Sequence, residues 1–454
     1  MKVIKDIFRV SASTIVGTGS SFLVNFMLPI VLSLQGYGQY QTYITYLGFT
    51  YLLNFGFNDG IYIKYGGKDI AEVNSIDIQS EHNFVIIFQT AIFLLSSIYA
   101  ISQKNLILFF FFLVSFLDAI SNYQGNLLKA TGNFKDFTNG NFLKSIFYIL
   151  LLVIAIFIFK ITDFRIYIII NILSSFFLML YFEKIFFKHT KYMKVLNIRD
   201  QIPIFKIGII ILISNASLTL VGNIGRIVAN SAYPSEIFAQ YAFQNSLLNL
   251  ILILANAIGM VFFNIISKKD DTYLLNIIKK VSLYVGIIAG LGFFIIKAII
   301  LLAMPKYTDS LSILSITFIS LPYIIVSKML IANLYRAKVA SKKYLVDSVI
   351  YAGLATIFVY TSYLLFPGLE AIALSTTICY IGWFLYTTFF KFNYLKNSFL
   401  EIFLLIFHSI IFYFLATNLS IITGFILYFI FLLVLFFVKK KEIMDILTFL
   451  KETI

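Results

Sequence analysis

The chain has 454 residues, of which 60% are hydrophobic and only 12% are charged, and its net charge is +14. An ordinary soluble protein is about 45–50% apolar and about 25% charged, and a globule cannot hide so much apolar surface from water. The composition therefore excludes a soluble enzyme, a secreted disulfide scaffold and a disordered chain, and it predicts an integral membrane protein.

Apolar segments of spanning length follow one another along the whole chain. A helix that crosses a bilayer needs about 20 mostly apolar residues, and fourteen such spans are predicted. They cover approximately residues 10–34, 39–62, 83–102, 105–123, 140–159, 165–187, 207–230, 237–266, 281–303, 310–334, 344–366, 370–390, 399–417 and 421–438. Pro29 and Pro322 lie inside the first and tenth spans, where a missing backbone donor predicts a kink.

Lysine and arginine residues fall mainly on one side of these spans. If the N-terminus lies in the cytoplasm, 28 of the 35 cations lie on the inner side. The positive-inside rule therefore predicts that both termini are cytoplasmic. The same bias accounts for the basic charge without nucleic acid as a partner. All outer loops are short, and residues 188–206 form a cytoplasmic linker between the sixth and seventh spans.

Short segments recur on the two sides of this linker. Residues Tyr37–Tyr40 open the second span and Phe238–Tyr241 open the eighth, while Lys129-Ala130 and Arg336-Ala337 follow the fourth and tenth. Six spans in each half keep the same topology, so the repeat is a parallel one, as in many alternating-access carriers. The predicted organisation is an N-terminal six-helix bundle (1–187), the linker (188–206), a C-terminal six-helix bundle (207–390), and two additional transmembrane helices with a cytoplasmic tail (391–454).

A stripe of polar residues follows one face of the seventh span. Asn215, Thr219, Asn223, Arg226 and Asn230 are spaced by 4, 4, 3 and 4 residues, which places them on one side of a helix. An arginine in mid-span costs about 2.5–3.5 kcal/mol on insertion scales, so something must compensate it. One interpretation is a water-filled cavity with an anionic ligand, since guanidinium matches phosphate and carboxylate. The other is a structural pair with a carboxylate or a backbone carbonyl, or snorkelling to the outer surface.

Amide side chains also mark the first, second and eighth spans. Amides donate and accept hydrogen bonds and would suit sugar hydroxyls, although bonding between helices is the alternative for each of them. Lys297, in the ninth span, could bind a ligand or snorkel. The predicted substrate-binding residues are Arg226, Asn223, Asn215, Asn230, Asn25, Asn54, Asn58, Gln244, Asn249 and Lys297.

Two carboxylates are candidates for ion coupling. Asp59 lies at the inner end of the second span and Asp118 lies in the fourth. Either could carry a proton or a cation, because burial raises the pKa of a carboxylate; the simpler alternative is a pair with a lysine near the interface. With one cysteine and three widely separated histidines, the sequence predicts no metal site, no cofactor and no catalytic residue.

Several segments resemble the polysaccharide-repeat flippases (Wzx type) of bacterial surface-glycan synthesis. These belong to the superfamily that also includes the multidrug/toxic-compound extruders (MATE) and the peptidoglycan-precursor lipid flippase. The resembling segments are Gln35–Tyr40, Asn54–Gly60, Leu127–Phe134, Asn223–Arg226, Phe238–Ala242 and Met304–Tyr307. Members of the family often carry an aspartate before the arginine of the seventh span, where this chain has Gly225.

The resemblance implies an all-α polytopic fold of two pseudo-symmetric, MATE-like six-helix bundles with two C-terminal helices. It implies a substrate that is an undecaprenyl-diphosphate-linked oligosaccharide, flipped across the bacterial inner membrane for O-antigen, capsular or exopolysaccharide synthesis. Membrane lipids, a glycan polymerase and a chain-length regulator are the implied partners. The alternatives are a MATE-like cation-coupled exporter of drugs or metabolites, a membrane enzyme such as a glycan polymerase, and a scaffold that transports nothing.

Overall fold

The computed structural model describes residues 23–190, 193–268, 271–338 and 341–444, and in those ranges the chain is helical without any strand. The predicted class, an all-α polytopic membrane protein, is confirmed. Residues 10–22 of the predicted first span lie outside the described residues, and so do residues 445–454 of the predicted cytoplasmic tail.

Eighteen helices are described, the first of which, α1, covers residues 23–31. The others are α2 (Leu34–Leu47), α3 (Phe57–Tyr65), α4 (Ser75–Ser102), α5 (Leu106–Ala130), α6 (Phe134–Val153), α7 (Phe164–His189), α8 (Ile202–Ala232), α9 (Ser235–Lys268), α10 (Thr272–Ala289), α11 (Leu291–Ala303), α12 (Ser310–Ile319), α13 (Leu321–Val326), α14 (Ala332–Lys338), α15 (Ser341–Leu365), α16 (Leu369–Tyr386), α17 (Phe399–Asn418) and α18 (Ile421–Val438). Short 3-10 turns follow α2 and α11 at Thr50–Asn54 and Pro305–Tyr307, and another precedes α17 at Asn393–Leu395.

Polar side chains in the connecting segments, one residue before the helix, fix where many helices begin. The side chains that accept a hydrogen bond from a first-turn N–H are Ser33, Asn74, Asn105, Asp163, Asp271, Ser398 and Ser420. Each satisfies one amide that a helix start leaves unpaired, a contribution of about 1 kcal/mol.

Ten helical segments in the described residues are long and apolar enough to cross a membrane, or eleven with one bent pair. The predicted count of fourteen is therefore not confirmed. The bent pair, Ser310–Ile319 and Leu321–Tyr335, has an angle of 53° beside Pro322, where a kink was predicted. The predicted second span is not one helix, because α2 ends at Leu47 and α3 begins only at Phe57.

Many apolar side chains lie on the outside of the protein. Leu95, Leu302 and Phe399 are 71%, 86% and 86% exposed. Such surfaces are unusual for a soluble protein but suit contact with lipid acyl chains. Part of the high apolar content of the sequence is therefore exposed helix surface.

The chain divides into two compact units, and the first comprises Met1–Asn223 and Tyr233–Ala239. Its core contains a cluster in which Phe57 of α3, Tyr123 of α5 and Phe186 of α7 are buried together. The ring of Phe205, in α8, packs against Phe57 with 5.1 Å between the centroids. This cluster joins the helices that position the candidate site.

The described part of the predicted linker is held against the start of α4. Asn83 Nδ2 donates to the carbonyl oxygens of Met193 and Val195, each at 2.9 Å. Ser80 Oγ accepts from the backbone N–H of Asn197, also at 2.9 Å. These bonds tie the segment to the first unit.

The second unit comprises Ile224–Ala232 and Gln240–Ile454, so the division falls within α8. The last two helices join its core through a buried chain of hydrogen bonds. Tyr428 Oη donates to the carbonyl oxygen of Ile287, and His408 Nε2 lies 2.9 Å from Tyr428 Oη. Since the tyrosine has one proton, the histidine is the donor in the second bond. The predicted domain boundaries stay a prediction.

Candidate functional site

A cavity of about 200 Å³ opens in the first unit, and every side chain that lines it is polar. The lining residues are Tyr51, Asn54, Asn58, Asp59, Asn122, Asn126, Asn215 and Thr219. Five are asparagines, and Asp59 is the one charged member of the set. The structure thus brings together three of the predicted substrate-binding residues with one of the two predicted coupling carboxylates.

The break between α2 and α3 builds one wall of this cavity. Phe55 and Gly56 adopt left-handed backbone conformations, with φ of 51° and 84°, so the chain turns where a continuous helix was predicted. Asn54 Oδ1 accepts a hydrogen bond from the N–H of Gly56 at 2.8 Å. Such local bonds are the reason asparagine favours turns over helix interiors. The turn carries Tyr51 and Asn54 to the same cavity as Asn58.

Glycines let α8 approach α3 at backbone distance. A Cβ on Gly208 would lie 1.8 Å from the carbonyl oxygen of Gly56, and one on Gly60 would lie 2.2 Å from that of Ile204. No side chain fits at these contacts, so the two helices meet through their backbones. Asn215 and Thr219, two and three turns further along α8, then line the cavity.

Hydrogen bonds from asparagines join α3 to α5 at the opposite wall. Asn58 Nδ2 donates to the carbonyl oxygen of Ala119 at 2.9 Å, and Asn126 Nδ2 donates to that of Asn58 at 2.8 Å. Within the described part of the chain, no group donates to the amide oxygen of either asparagine. A ligand rich in hydroxyl groups could use such acceptors, because each hydroxyl both donates and accepts.

Asp59 is half-buried in the first turn of α3, where the helix dipole favours a negative charge. Lys129 acts on it electrostatically. The ammonium of Lys129 lies 5.8 Å from the ring centroid of Tyr62 and 5.0 Å from that of Phe137. Among the described residues, nothing forms a hydrogen bond or an ion pair with the Asp59 carboxylate, which is therefore available to a cation or a ligand.

Asp118, the second predicted coupling carboxylate, is not among the residues that line this cavity. Its Oδ1 lies 3.9 Å from Lys144 Nζ, and the two side chains are 25% and 27% exposed. This pairing matches the simpler interpretation of Asp118, a partner for a lysine. A pair with that exposure contributes little stability.

Arg226 belongs to the second unit and is buried, with 5% exposure. Arg226 takes part in at least one interaction with its surroundings, and its charge acts electrostatically on Tyr241. A Cβ on Gly225 would lie 2.1 Å from Tyr241 Oη and 2.7 Å from Thr376 Oγ1. The tyrosine therefore occupies the space that a side chain at position 225 would need, which explains the glycine at this position in place of the aspartate.

Gln244 and Lys297, two other predicted binding residues, bridge helices of the second unit. Gln244 Oε1 accepts from Thr317 Oγ1 at 2.9 Å, and both residues are buried. Lys297 Nζ donates to the carbonyl oxygens of Ala416 and Leu419 at 2.8 and 3.2 Å. The cation thus satisfies carbonyl groups at the end of α17, the arrangement expected for lysine near a helix C-terminus.

The remaining predicted residues are not in the lining set of this cavity. Asn223 Nδ2 donates to the carbonyl oxygen of Thr219 at 2.9 Å and continues the polar face of α8 by one turn. Asn25 and Asn230 are half-buried, and Asn249 is exposed. Their roles stay predictions.

Four lining residues were not predicted as site residues: Tyr51, Asn122, Asn126 and Thr219. Asp118, Asn122 and Asn126 follow one another at steps of four along α5. The same helical spacing singled out the stripe on α8, so a search for it on α5 from Asp118 onward would have identified both asparagines.

Comparisons with known proteins agree on the fold. The sequence profile of a family described as polysaccharide biosynthesis protein matches residues 3–269. No curated protein sequence matches the chain significantly. Among solved structures, the lipid II flippase MurJ in an inward closed conformation has a TM-score of 0.70 and 15% identity, covering 97% of this chain and 100% of that one.

Two transporters of the MOP superfamily are also similar. An inward-facing multidrug resistance MATE family transporter has a TM-score of 0.56 and 16% identity, covering 87% of this chain and 99% of that one. A transporter from Pyrococcus furiosus has a TM-score of 0.56 and 17% identity, covering 87% of this chain and 97% of that one. At these identities the likeness shows a shared fold, and the predicted MATE-like fold is confirmed.

Proposed function

The chain belongs to the polysaccharide biosynthesis protein family, and from that premise we propose that it is a flippase for a lipid-linked oligosaccharide. The substrate is an undecaprenyl-diphosphate-linked glycan repeat unit, which loads from the cytoplasmic leaflet and leaves with its sugars outward. Translocation proceeds by alternating access and serves the synthesis of O-antigen, capsule or exopolysaccharide.

The asparagine-lined cavity of the first unit is the observation that carries this proposal. A glycan inside a membrane needs partners for its hydroxyl groups, since a polar group left bare in lipid costs several kcal/mol. Five asparagine side chains offer donors and acceptors together. The volume of about 200 Å³ is below the roughly 300–1,000 Å³ of sites for drug-sized ligands, so the cavity holds part of the head group.

We assign Arg226 to the negative charge of the substrate, either the diphosphate or an acidic sugar. A guanidinium presents paired donors that match phosphate and carboxylate oxygens. Asn223 and Asn230 lie one turn to either side on α8 and extend its polar face. In this assignment the arginine binds the charge and the asparagines bind the hydroxyl groups.

The proposed location is the bacterial inner membrane, with both termini in the cytoplasm. The distribution of lysine and arginine supports this orientation. A glycan polymerase and a chain-length regulator are the proposed partners, because the polymerase would consume the flipped unit and the regulator would set the length of its product. Asp59 is the proposed site of ion coupling, since its carboxylate is available at the cavity.

Replacement of Arg226 tests the assignment. In the native host without its chromosomal copy, Arg226→Ala should abolish surface glycan while leaving the protein in the membrane, measured by glycan staining and immunoblot. Arg165→Ala is the matched control, since Arg165 is 58% exposed at a helix start, and it should display glycan normally. Undiminished glycan with Arg226→Ala would remove this residue from the site.

The competing function is a MATE-like cation-coupled exporter, favoured by the shared fold and by the available carboxylate of Asp59. Deletion of the gene distinguishes the two functions. A flippase deletion removes surface glycan, whereas an exporter deletion leaves glycan intact and raises sensitivity to cationic drugs. The second outcome would refute the flippase.

A further inference from the structure

We propose that the inner end of the second unit binds the phosphate head group of an anionic membrane lipid. A groove of about 820 Å³ lies there, between the first turns of α10, the start of α17 and the end of α18. It shares no lining residue with the asparagine-lined cavity and contains none of the predicted site residues. The proposal goes beyond the flippase function and stands if that function fails.

Lysine residues dominate the charge of the groove, with two glutamates beside them. The five lysines are Lys279, Lys280, Lys396, Lys439 and Lys441. Lys279 is buried and donates to the carbonyl oxygen of Leu395 at 2.9 Å, to Asn397 Oδ1 at 3.0 Å and to Glu401 Oε2 at 3.1 Å. This lysine therefore anchors the wall of the groove and neutralises Glu401.

Glu442, the second carboxylate, is shared by two lysines. Its Oε1 lies 3.0 Å from Lys280 Nζ, and its Oε2 lies 3.5 Å from Lys439 Nζ. Tyr284 Oη donates to the same carboxylate at 3.2 Å. One negative charge between two ammonium groups leaves a positive surplus at the groove.

Lys396 and Lys441 add to this surplus. Both are exposed, and neither forms an ion pair with a carboxylate in the described residues. Lys396 Nζ lies 6.0 Å from the ring centroid of Phe389, a contact that leaves its charge uncompensated. The lining as a whole therefore attracts an anion.

The surroundings indicate a lipid anion. Val438 lines the groove and is 73% exposed, and Phe399, at the start of α17, is 86% exposed. Acyl chains can lie against these apolar side chains while the head group reaches the lysines. Basic pockets between membrane helices on the cytoplasmic side are a known arrangement for acidic lipid head groups.

Binding to lipid nanodiscs tests the proposal. The purified full chain in phosphatidylcholine nanodiscs should take up added phosphatidylglycerol, measured by native mass spectrometry. Lys396→Gln/Lys441→Gln should weaken this uptake by roughly 30-fold, because each lysine near an anionic lipid contributes about a factor of five. Both side chains are exposed, so the variant should fold.

Lys184→Gln/Lys188→Gln is the matched control, because it removes two exposed lysines of α7 that do not line the groove. It should keep the uptake of the unchanged chain. Equal weakening in the two variants, or undiminished uptake by the groove variant, would overturn the proposal.

The same measurement separates the sources of a lipid-borne phosphate. Groove-dependent binding of phosphatidylglycerol supports a bilayer lipid as the occupant, whereas groove-dependent binding of undecaprenyl diphosphate alone would overturn that assignment. Inorganic diphosphate that bound as tightly as either lipid would overturn the assignment to a lipid.

Discussion

In the first unit, Asn122 and Asn215 line an open cavity. In the second unit, Gln240 and Gln244 of α9 are buried and form hydrogen bonds to neighbouring segments of the chain. Gln240 Nε2 donates to the carbonyl oxygen of Lys306 at 2.8 Å, and Gln244 accepts from Thr317. Neither Asn122 nor Asn215 forms a side-chain hydrogen bond to any described residue. Amide side chains in similar apolar helices thus bond to a neighbouring segment in one unit and stay free to meet a ligand in the other.

This difference shows that a polar stripe on a membrane helix marks a face that avoids lipid, but it does not by itself indicate that a ligand binds there. Every polar group at membrane depth needs a partner, and a neighbouring helix serves as well as a substrate. What decides between them is whether the neighbour approaches closely. In the first unit Gly208 of α8 meets Gly56 backbone to backbone, whereas Asn215, two turns further along α8, lines the cavity and has no hydrogen-bonding partner among the described residues.

The largest effect is expected when that glycine contact is broken. Gly208→Ala places a Cβ 1.8 Å from the carbonyl oxygen of Gly56, so α8 must move away from α3. We expect a loss of about 3 kcal/mol in the free energy of unfolding together with the loss of surface glycan. Thermal unfolding of the purified protein and glycan staining measure the two effects.

Gly353→Ala is the control for this prediction, because a Cβ at position 353 meets no atom within 4 Å. It should be neutral or slightly stabilising, since alanine favours helices over glycine. Equal stability of the two variants would contradict the close contact of α8 with α3.

A paired replacement tests the comparison of the two units directly. Asn122→Leu should leave stability unchanged and lower surface glycan by roughly fivefold to tenfold, the value of one hydrogen bond to the substrate. Gln244→Leu should cost about 1 kcal/mol of stability and leave glycan per membrane-inserted protein unchanged. The loss is modest because the single proton of the Thr317 hydroxyl can instead go to the carbonyl oxygen of Ile313, which lies 3.2 Å from Thr317 Oγ1.

The opposite pattern would show that the second unit binds the substrate through Gln244. Glycan staining normalised to immunoblot, with thermal unfolding of the same variants, distinguishes the two outcomes. In that case the predicted role of Gln244 would stand and the cavity of the first unit would lose its assignment.

The membrane class could be predicted because it depends on a local quantity. The length of an apolar segment is visible within a short window of sequence. The break between α2 and α3 could not be predicted in this way. It depends on a turn at Asn54 and Gly56 and on the approach of Gly208, which lies far along the chain.

The candidate site was predictable to the extent that it follows helical periodicity. Spacing along the helices identified Asn54, Asn58 and Asn215, which the structure places at one cavity. Lys297 was expected to be a binding residue because it is a cation inside a span. Its partners are carbonyl groups at the end of α17, and no pattern around position 297 indicates them.

Lys297 should therefore affect stability and spare transport. Lys297→Met removes the donor to Ala416 and Leu419, and we expect a loss of about 1–2 kcal/mol in the free energy of unfolding. Lys297→Arg keeps a donor and should lose less. Thermal unfolding measures both variants, and a loss of glycan at unchanged stability would instead place Lys297 at the substrate.

The smallest effect is expected at Glu442 in the second unit. Its carboxylate pairs with Lys280 and Lys439, just as the Gln244 amide pairs with Thr317. Burial raises the pKa of Glu442. The hydrogen bond from Lys280 and the charges of Lys280 and Lys439 lower it by more than burial raises it, so the pKa lies below its ordinary value of 4.5. A carboxylate with a lowered pKa stabilises the fold above the ordinary value, and this stabilisation is lost as pH falls through the folded value.

At pH 7 the melting temperature of the unchanged chain should accordingly exceed that of Glu442→Gln, by at most about 2 °C because the ion pairs are partly exposed. This difference in melting temperature should narrow below pH 4.5. Lys280→Gln should reduce the same difference at pH 7, because it removes the nearer of the two cations. A difference in melting temperature that stayed constant with pH would mean that Glu442 acts through packing. The pairing of its charge with the lysines would then contribute nothing to stability.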